Sequence, residues 1–204
     1  VATAHNHGLK VTGHCRANAG IKNALRAGYD AIEHGTFMDN EALDLLLKRD
    51  VPCVPALYFE YASIEHGPKY GMPKSVIDGH KETLEAGAES AKMILKAGGR
   101  LGMGGDYGFA WNPHGDYARE LTFFVKYVGL DTHTVLQCAT RTGAEIMGLE
   151  KEIGTVEEGK LADILIVDGD VLKDISILEN KSKFVAVIQG GVIKAGRLAV
   201  NKVR

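Results

Sequence analysis

Ala27-Gly28-Tyr29-Asp30-Ala31-Ile32-Glu33-His34-Gly35 is the stretch on which the fold turns. Gly28 follows a helical pattern over Gly20 to Ala27 and is placed to close that helix in the left-handed conformation. Asp30 to His34 is then a short apolar run ending in a polar residue and a glycine, the signature of a buried strand leading into a turn. The alternation continues on both sides. Lys10 to His14 precedes the helix at Gly20 to Ala27, and Asp30 to His34 precedes a helical pattern at Asn40 to Arg49. Val51 to Leu57 precedes Lys74 to Ala97, and Arg100 to Asp106 precedes Tyr117 to Val128. Four strand-then-helix units predict an α/β fold with parallel strands and crossover helices.

Two further helices are expected at Thr132 to Thr140 and Gly143 to Gly148, and the aromatic, Pro/Gly-punctuated segment Tyr58 to Pro73 reads as a loop at the mouth of a site. After Leu149 the pattern changes to short β-like runs at Asp163 to Val167, Phe184 to Gln189 and Val192 to Lys194, with Gln189-Gly190-Gly191-Val192 as a hairpin turn. The expected division is residues 1–150 for the β/α part and 151–204 for a small β unit.

Composition narrows the function classes. The 204 residues are 45% hydrophobic and 25% charged with a net charge of −2, and basic residues are interspersed with acidic ones, so no nucleic-acid footprint is present. No apolar run reaches bilayer length, so no membrane partner is expected. Three widely spaced cysteines suggest neither a disulfide framework nor a cysteine zinc site, which points to a reducing, cytoplasmic compartment. The chain begins at Val1 on what reads as the end of a helix closed by Gly8, and a further amino-terminal portion is expected.

His14, His34 and Asp106 each close a presumed strand. In a parallel β/α barrel such ends converge on one face, so residues distant in sequence become neighbours. Imidazole and carboxylate together suit zinc and related divalent metals. Other readings fare worse. The third glycine of a dinucleotide loop starting at Gly102 would fall on Tyr107, and neither a phosphate-binding P-loop nor a Gly-x-Ser-x-Gly elbow occurs.

The chain resembles the amidohydrolase superfamily, particularly the branch of imidazolonepropionases and prolidase-like metallodipeptidases. The resemblance runs through Gly13-His14, the stretch ending at Gly35, Gly104-Gly105-Asp106, Ala139 to Leu149, and Ile153 to Asp168. It implies the second half of a TIM-like (β/α)8 barrel followed by carboxy-terminal strands of a small β-sandwich domain. It also implies His14 and His34 as fifth- and sixth-strand metal ligands, and Asp106 as an eighth-strand carboxylate that is both ligand and catalytic acid/base. The implied cofactor is one or two divalent ions, zinc foremost. The implied reaction is hydrolysis of a C–N bond by metal-activated water, in a dipeptide or N-acyl amino acid; a cyclic amidase or heterocycle deaminase is the rival.

The first-strand His-x-His pair and the fourth-strand lysine of that family have no counterpart before Lys10. His5-Asn6-His7 has the spacing but reads as the polar end of a helix. The alternative outside the enzyme class is therefore an inactive piece that forms homo-oligomers through exposed barrel edges. Among neighbouring residues, Arg16 is placed to clamp a substrate carboxylate, and His114 and Tyr107 to contact substrate. Tyr58 and Tyr61 are candidate pocket walls, while His66 reads as a loop residue and His80 and His133 as helix-surface or helix-start residues.

Overall fold

The computed structural model describes residues 1–199. A short helix α1 (Ala2–Asn6) leads to strand β1 (Thr12–Cys15), helix α2 (Asn18–Ala27), strand β2 (Ala31–His34), helix α3 (Asn40–Lys48) and strand β3 (Cys53–Val54). The three strands form one parallel sheet in the order β1-β2-β3. Helix α2 closes on Gly28 at φ 101°, and its buried Ile21, Ala24 and Leu25 lie one turn apart on a single face. Full burial of a side chain such as Leu25 contributes about 1.5–3 kcal/mol. Helix α3 starts at Asp39, whose carboxylate accepts from Ala42 N–H at 2.8 Å, satisfying one of the free donors of the first turn.

The segment Tyr58 to Pro73 is not a loop. It forms helix α4 (Leu57–His66) and a 3₁₀ turn over Gly67–Tyr70. Leu57, Tyr58, Phe59, Glu60, Ala62 and Ser63 of α4 are all buried, so the helix is enclosed rather than one-sided and leaves no amphipathic stripe to read. Helix α5 (Lys74–Lys96) packs along it with Ile77, Leu84, Ala88, Ala91 and Ile94 buried. The approach is close at Gly87, where an added Cβ would stand 3.4 Å from Leu57.

Arg100 to Asp106 is barely a strand. Cys53 N–H donates to the Arg100 carbonyl at 3.1 Å and Gly102 N–H to the Cys53 carbonyl at 2.9 Å, after which ladder pairing stops. Helix α6 (Arg119–Phe123) continues through a π turn to Val128. The two helices expected between Thr132 and Gly148 are one run, α7 (Thr132–Gln137) and α8 (Gly143–Met147), joined by a π turn over Cys138–Thr142 that keeps Gly143 helical.

The carboxy-terminal part is a three-stranded antiparallel sheet of β4 (Ile164–Val167), β5 (Phe184–Gln189) and β6 (Val192–Ala195). Gly190 and Gly191, both at positive φ, make the expected β5–β6 hairpin turn. Ile175 and Leu178, from a 3₁₀ turn between β4 and β5, join the same core as Leu121, Phe124 and Val135. His5-Asn6-His7 lies at the end of α1, as expected, with His5 Nε2 bonded to Asp30 at 2.8 Å. No helix among the described residues is long and apolar enough to cross a membrane.

Candidate metal centre

His14, His34 and Asp106 come from β1, β2 and the segment after Leu101, which bridges to Cys53 of β3, and their ligand atoms all lie within 4.8 Å of one another. His14 Nδ1 stands 2.7 Å from His34 Nε2, and His34 Nε2 stands 3.8 Å from Asp106 Oδ2. Strand geometry alone would not produce this. In the parallel register His14 is opposite Glu33, and His34 is opposite Cys15, so an extended His34 would present its ring on the other face of the sheet. His34 instead takes φ 69°, and Asp106 takes φ 50°. A non-glycine residue in the left-handed region costs on the order of 1–3 kcal/mol and persists where the surroundings hold it.

Those surroundings are specific. Gly35, itself at φ 59°, lets the chain turn against Cys53, whose Sγ lies 2.5 Å from where a Cβ would be. Ser90 Oγ donates to the Thr36 carbonyl at 2.6 Å and accepts from Met38 N–H at 3.2 Å, pinning the loop after His34 to α5. On the other side the wholly buried Asn112 donates through Nδ2 to the Gly105 carbonyl at 2.6 Å and to the Asp106 carbonyl at 3.1 Å.

Burial pushes the His34 imidazole down to about 3, helped by the Arg16 guanidinium and the His14 ring and opposed by the Pro55 carbonyl. At neutral pH that ring is uncharged and its Nε2 edge faces the two other donors. The remaining ring nitrogen, Nδ1, is buried without a well-formed hydrogen bond. Two imidazole nitrogens and a carboxylate converging in this way fit the coordination preferences of a zinc-like divalent ion. A cavity of about 310 Å³ opens beside them, lined also by Thr12, Glu33, Ala56 and Gly105. Glu33 accepts from Thr12 Oγ1 at 2.6 Å.

Arg16, on the turn after β1, pairs with the Glu60 carboxylate and has Nη2 3.8 Å from Asp106 Oδ2. Tyr107 and His114 stand outside the lining of that cavity. Tyr107 donates to the Tyr117 carbonyl at 3.2 Å, and His114 Nδ1 lies 3.4 Å from Tyr117 Oη; burial pushes the Tyr107 phenol up. Tyr58 and Tyr61 pack against Phe123 rather than walling the cavity. His80 is not a surface residue, since its Nδ1 bonds Glu60 Oε2 at 2.6 Å with the side chain only 17% exposed. Glu60 and Glu120, two buried carboxylates, escaped the reading of sequence; an acidic residue within the apolar run from Leu57 to Tyr61 was the available signal for the first.

A sequence profile of the amidohydrolase family matches residues 1–195. The chain belongs to the amidohydrolase family. Within it, ochratoxinase of Aspergillus niger is 25% identical over 191 residues, covering 91% of this chain and 38% of its own length. A crystal structure described as a Xaa-Pro dipeptidase with bound methionine in the active site superposes with a TM-score of 0.84 at 30% identity, over 96% of this chain and 47% of that one. A prolidase complexed with N-methylphosphonate-L-proline gives a TM-score of 0.86 at 27% identity, over 95% and 47%. This amidohydrolase chain thus spans less than half the length of these relatives.

Proposed function

We propose that the whole protein is a metal-dependent hydrolase that cleaves a C–N bond in a dipeptide or N-acyl amino acid. The observation that carries this reading is the convergence of His14 Nδ1, His34 Nε2 and the Asp106 carboxylate within 4.8 Å. These residues would hold a divalent ion, zinc foremost, with further ligands and any second ion supplied by residues beyond this chain. A bound ion of this kind polarises a carbonyl and makes water nucleophilic near neutral pH. Asp106 is the acid/base: its carboxylate is partly open to the cavity and positioned to take a proton from attacking water and return it to the leaving nitrogen. His34, uncharged, serves as a metal donor through Nε2.

Arg16 is the residue proposed to bind the substrate carboxylate, and it favours an amino-acid-like substrate over a neutral heterocycle. Its side chain is 34% exposed, with the guanidinium beside Asp106, and such a planar donor suits a carboxylate. The relatives described as a Xaa-Pro dipeptidase with bound methionine and a prolidase with a proline phosphonate support the same substrate class. His114 and Tyr107 belong, in this reading, to the wall of the substrate channel built by the loop after Asp106.

The architecture proposed for the parent is a (β/α)8 barrel to which residues 1–150 contribute the second half, with 151–204 adding strands to a small β-sandwich. The edge of β1, and the apolar Ile164, Leu165 and Ile166 at 36–44% exposure on β4, are surfaces such a parent would cover. Residues 1–204 alone are accordingly proposed to be inactive and prone to associate through those edges. Substrate profiling of the whole protein tests the reading: turnover of dipeptides or N-acyl amino acids is expected, and turnover restricted to cyclic amides or aminated heterocycles would favour the rival.

A further inference from the structure

We infer that Glu60 and His80 are positioning residues that hold Arg16 ready for a free substrate carboxylate, and so set a preference for acids over their amides; this rests on the hydrolase reading above. Glu60 lies on α4, His80 on α5 and Arg16 on the turn after β1, so three separate elements meet at one carboxylate. The Glu60 side chain is 3% exposed. Removing a carboxylate from water is costly unless each oxygen finds a donor, and here each does: Oε1 takes Arg16 Nη1, and Oε2 takes His80 Nδ1 at 2.6 Å.

The arrangement constrains Arg16 more than a plain helix-to-helix tie requires. Phe59 lies under the guanidinium, 5.9 Å from Cζ to ring centroid, and meets the His80 ring edge-on at 5.7 Å. Arg16 is thereby gripped at Nη1 and along one face, with Nη2 turned toward the metal-ligand cluster, 3.8 Å from Asp106 Oδ2. A surface arginine would have to lose side-chain freedom on binding a ligand, whereas this one is already ordered. Such preorganisation favours the ligand that presents a planar anion to the free edge of the fork.

The test uses the whole, metal-loaded protein and a panel of N-acetyl-L-amino acids and dipeptides, each assayed beside its carboxy-terminal primary amide. In Glu60→Gln the ratio of kcat/KM for acid over amide is expected to fall by about 10–100-fold, the range typical of residues that orient a contacting side chain, with the loss in KM for the acid. His80→Gln is expected to lower the same ratio less. An unchanged ratio, or a parallel fall for acid and amide, would overturn the inference, the second result marking Glu60 as only structural. A wild-type protein that turns over neither acid nor amide would overturn the hydrolase reading itself, and this one with it.

Discussion

His14 is paired in register with Glu33, yet its ring meets that of His34, Nδ1 to Nε2 at 2.7 Å. The left-handed backbone at His34 makes the difference, and a glycine immediately after it, also at positive φ, makes that turn possible.

Gly35→Ala tests this turn. The new methyl group would stand 2.5 Å from Cys53 Sγ at a backbone angle that disfavours any side chain. A loss of about 2–3 kcal/mol in unfolding free energy is expected by denaturant titration of the whole protein, together with weaker metal retention. Wild-type stability in this variant would mean that the turn at His34 is not held as described.

Glu120 gives a pH signature unrelated to the metal. Its carboxylate accepts from Leu57 N–H and Tyr58 N–H, both at 2.7 Å, at the start of α4. Burial nevertheless pushes the carboxyl up to about 8, with the two backbone donors pulling the other way and Glu60 adding to the rise. In the folded state the proton is kept to about pH 8, while an unfolded chain releases it near the ordinary value of 4.5. The contribution to stability is therefore fully present below about 4.5 and is lost as pH rises through 8, with a slope of up to about 1.4 kcal/mol per pH unit. Thermal melts of Glu120→Gln across this window should show a flatter profile than wild type. Identical profiles would show that the Glu120 carboxyl is not raised in the fold.

Much of the candidate site was legible because its three donors each end a strand-like run, and parallel β/α topology turns that repeated placement into proximity. The turn of His34 out of its extended register was not legible, since it depends on Cys53 and Ser90, contributed by β3 and α5. Helix α4 was missed for a different reason. Its first four residues, Leu57 to Glu60, are all buried together with Ala62 and Ser63, and burial that runs continuously around the first turn carries no 3.6-residue period. The Glu60–His80 contact needs α4 and α5 side by side and so has no signature in the sequence. The run from Arg100 to Asp106 overstated its strand. Gly102 and Gly104 serve close approach, an added Cβ meeting Ile146 at 2.3 Å and Val54 at 2.8 Å respectively, and not continued pairing.

Arg16→Ala separates the proposed substrate classes. In the whole protein, KM for carboxylate-bearing substrates should rise by about 10–100-fold, while turnover of the corresponding amides changes far less. Steady-state kinetics on matched acid and amide substrates checks this. Unaltered affinity for the acids would remove the argument for an amino-acid-like substrate.

Elemental analysis of the whole protein beside its His34→Ala variant tests most directly whether His14, His34 and Asp106 hold a catalytic metal. At least one equivalent of a divalent ion, zinc foremost, is predicted for wild type, with a loss of one equivalent and of hydrolysis in the variant, because removing one of three converging donors opens the site. Undiminished metal content in a folded His34→Ala protein would contradict the account.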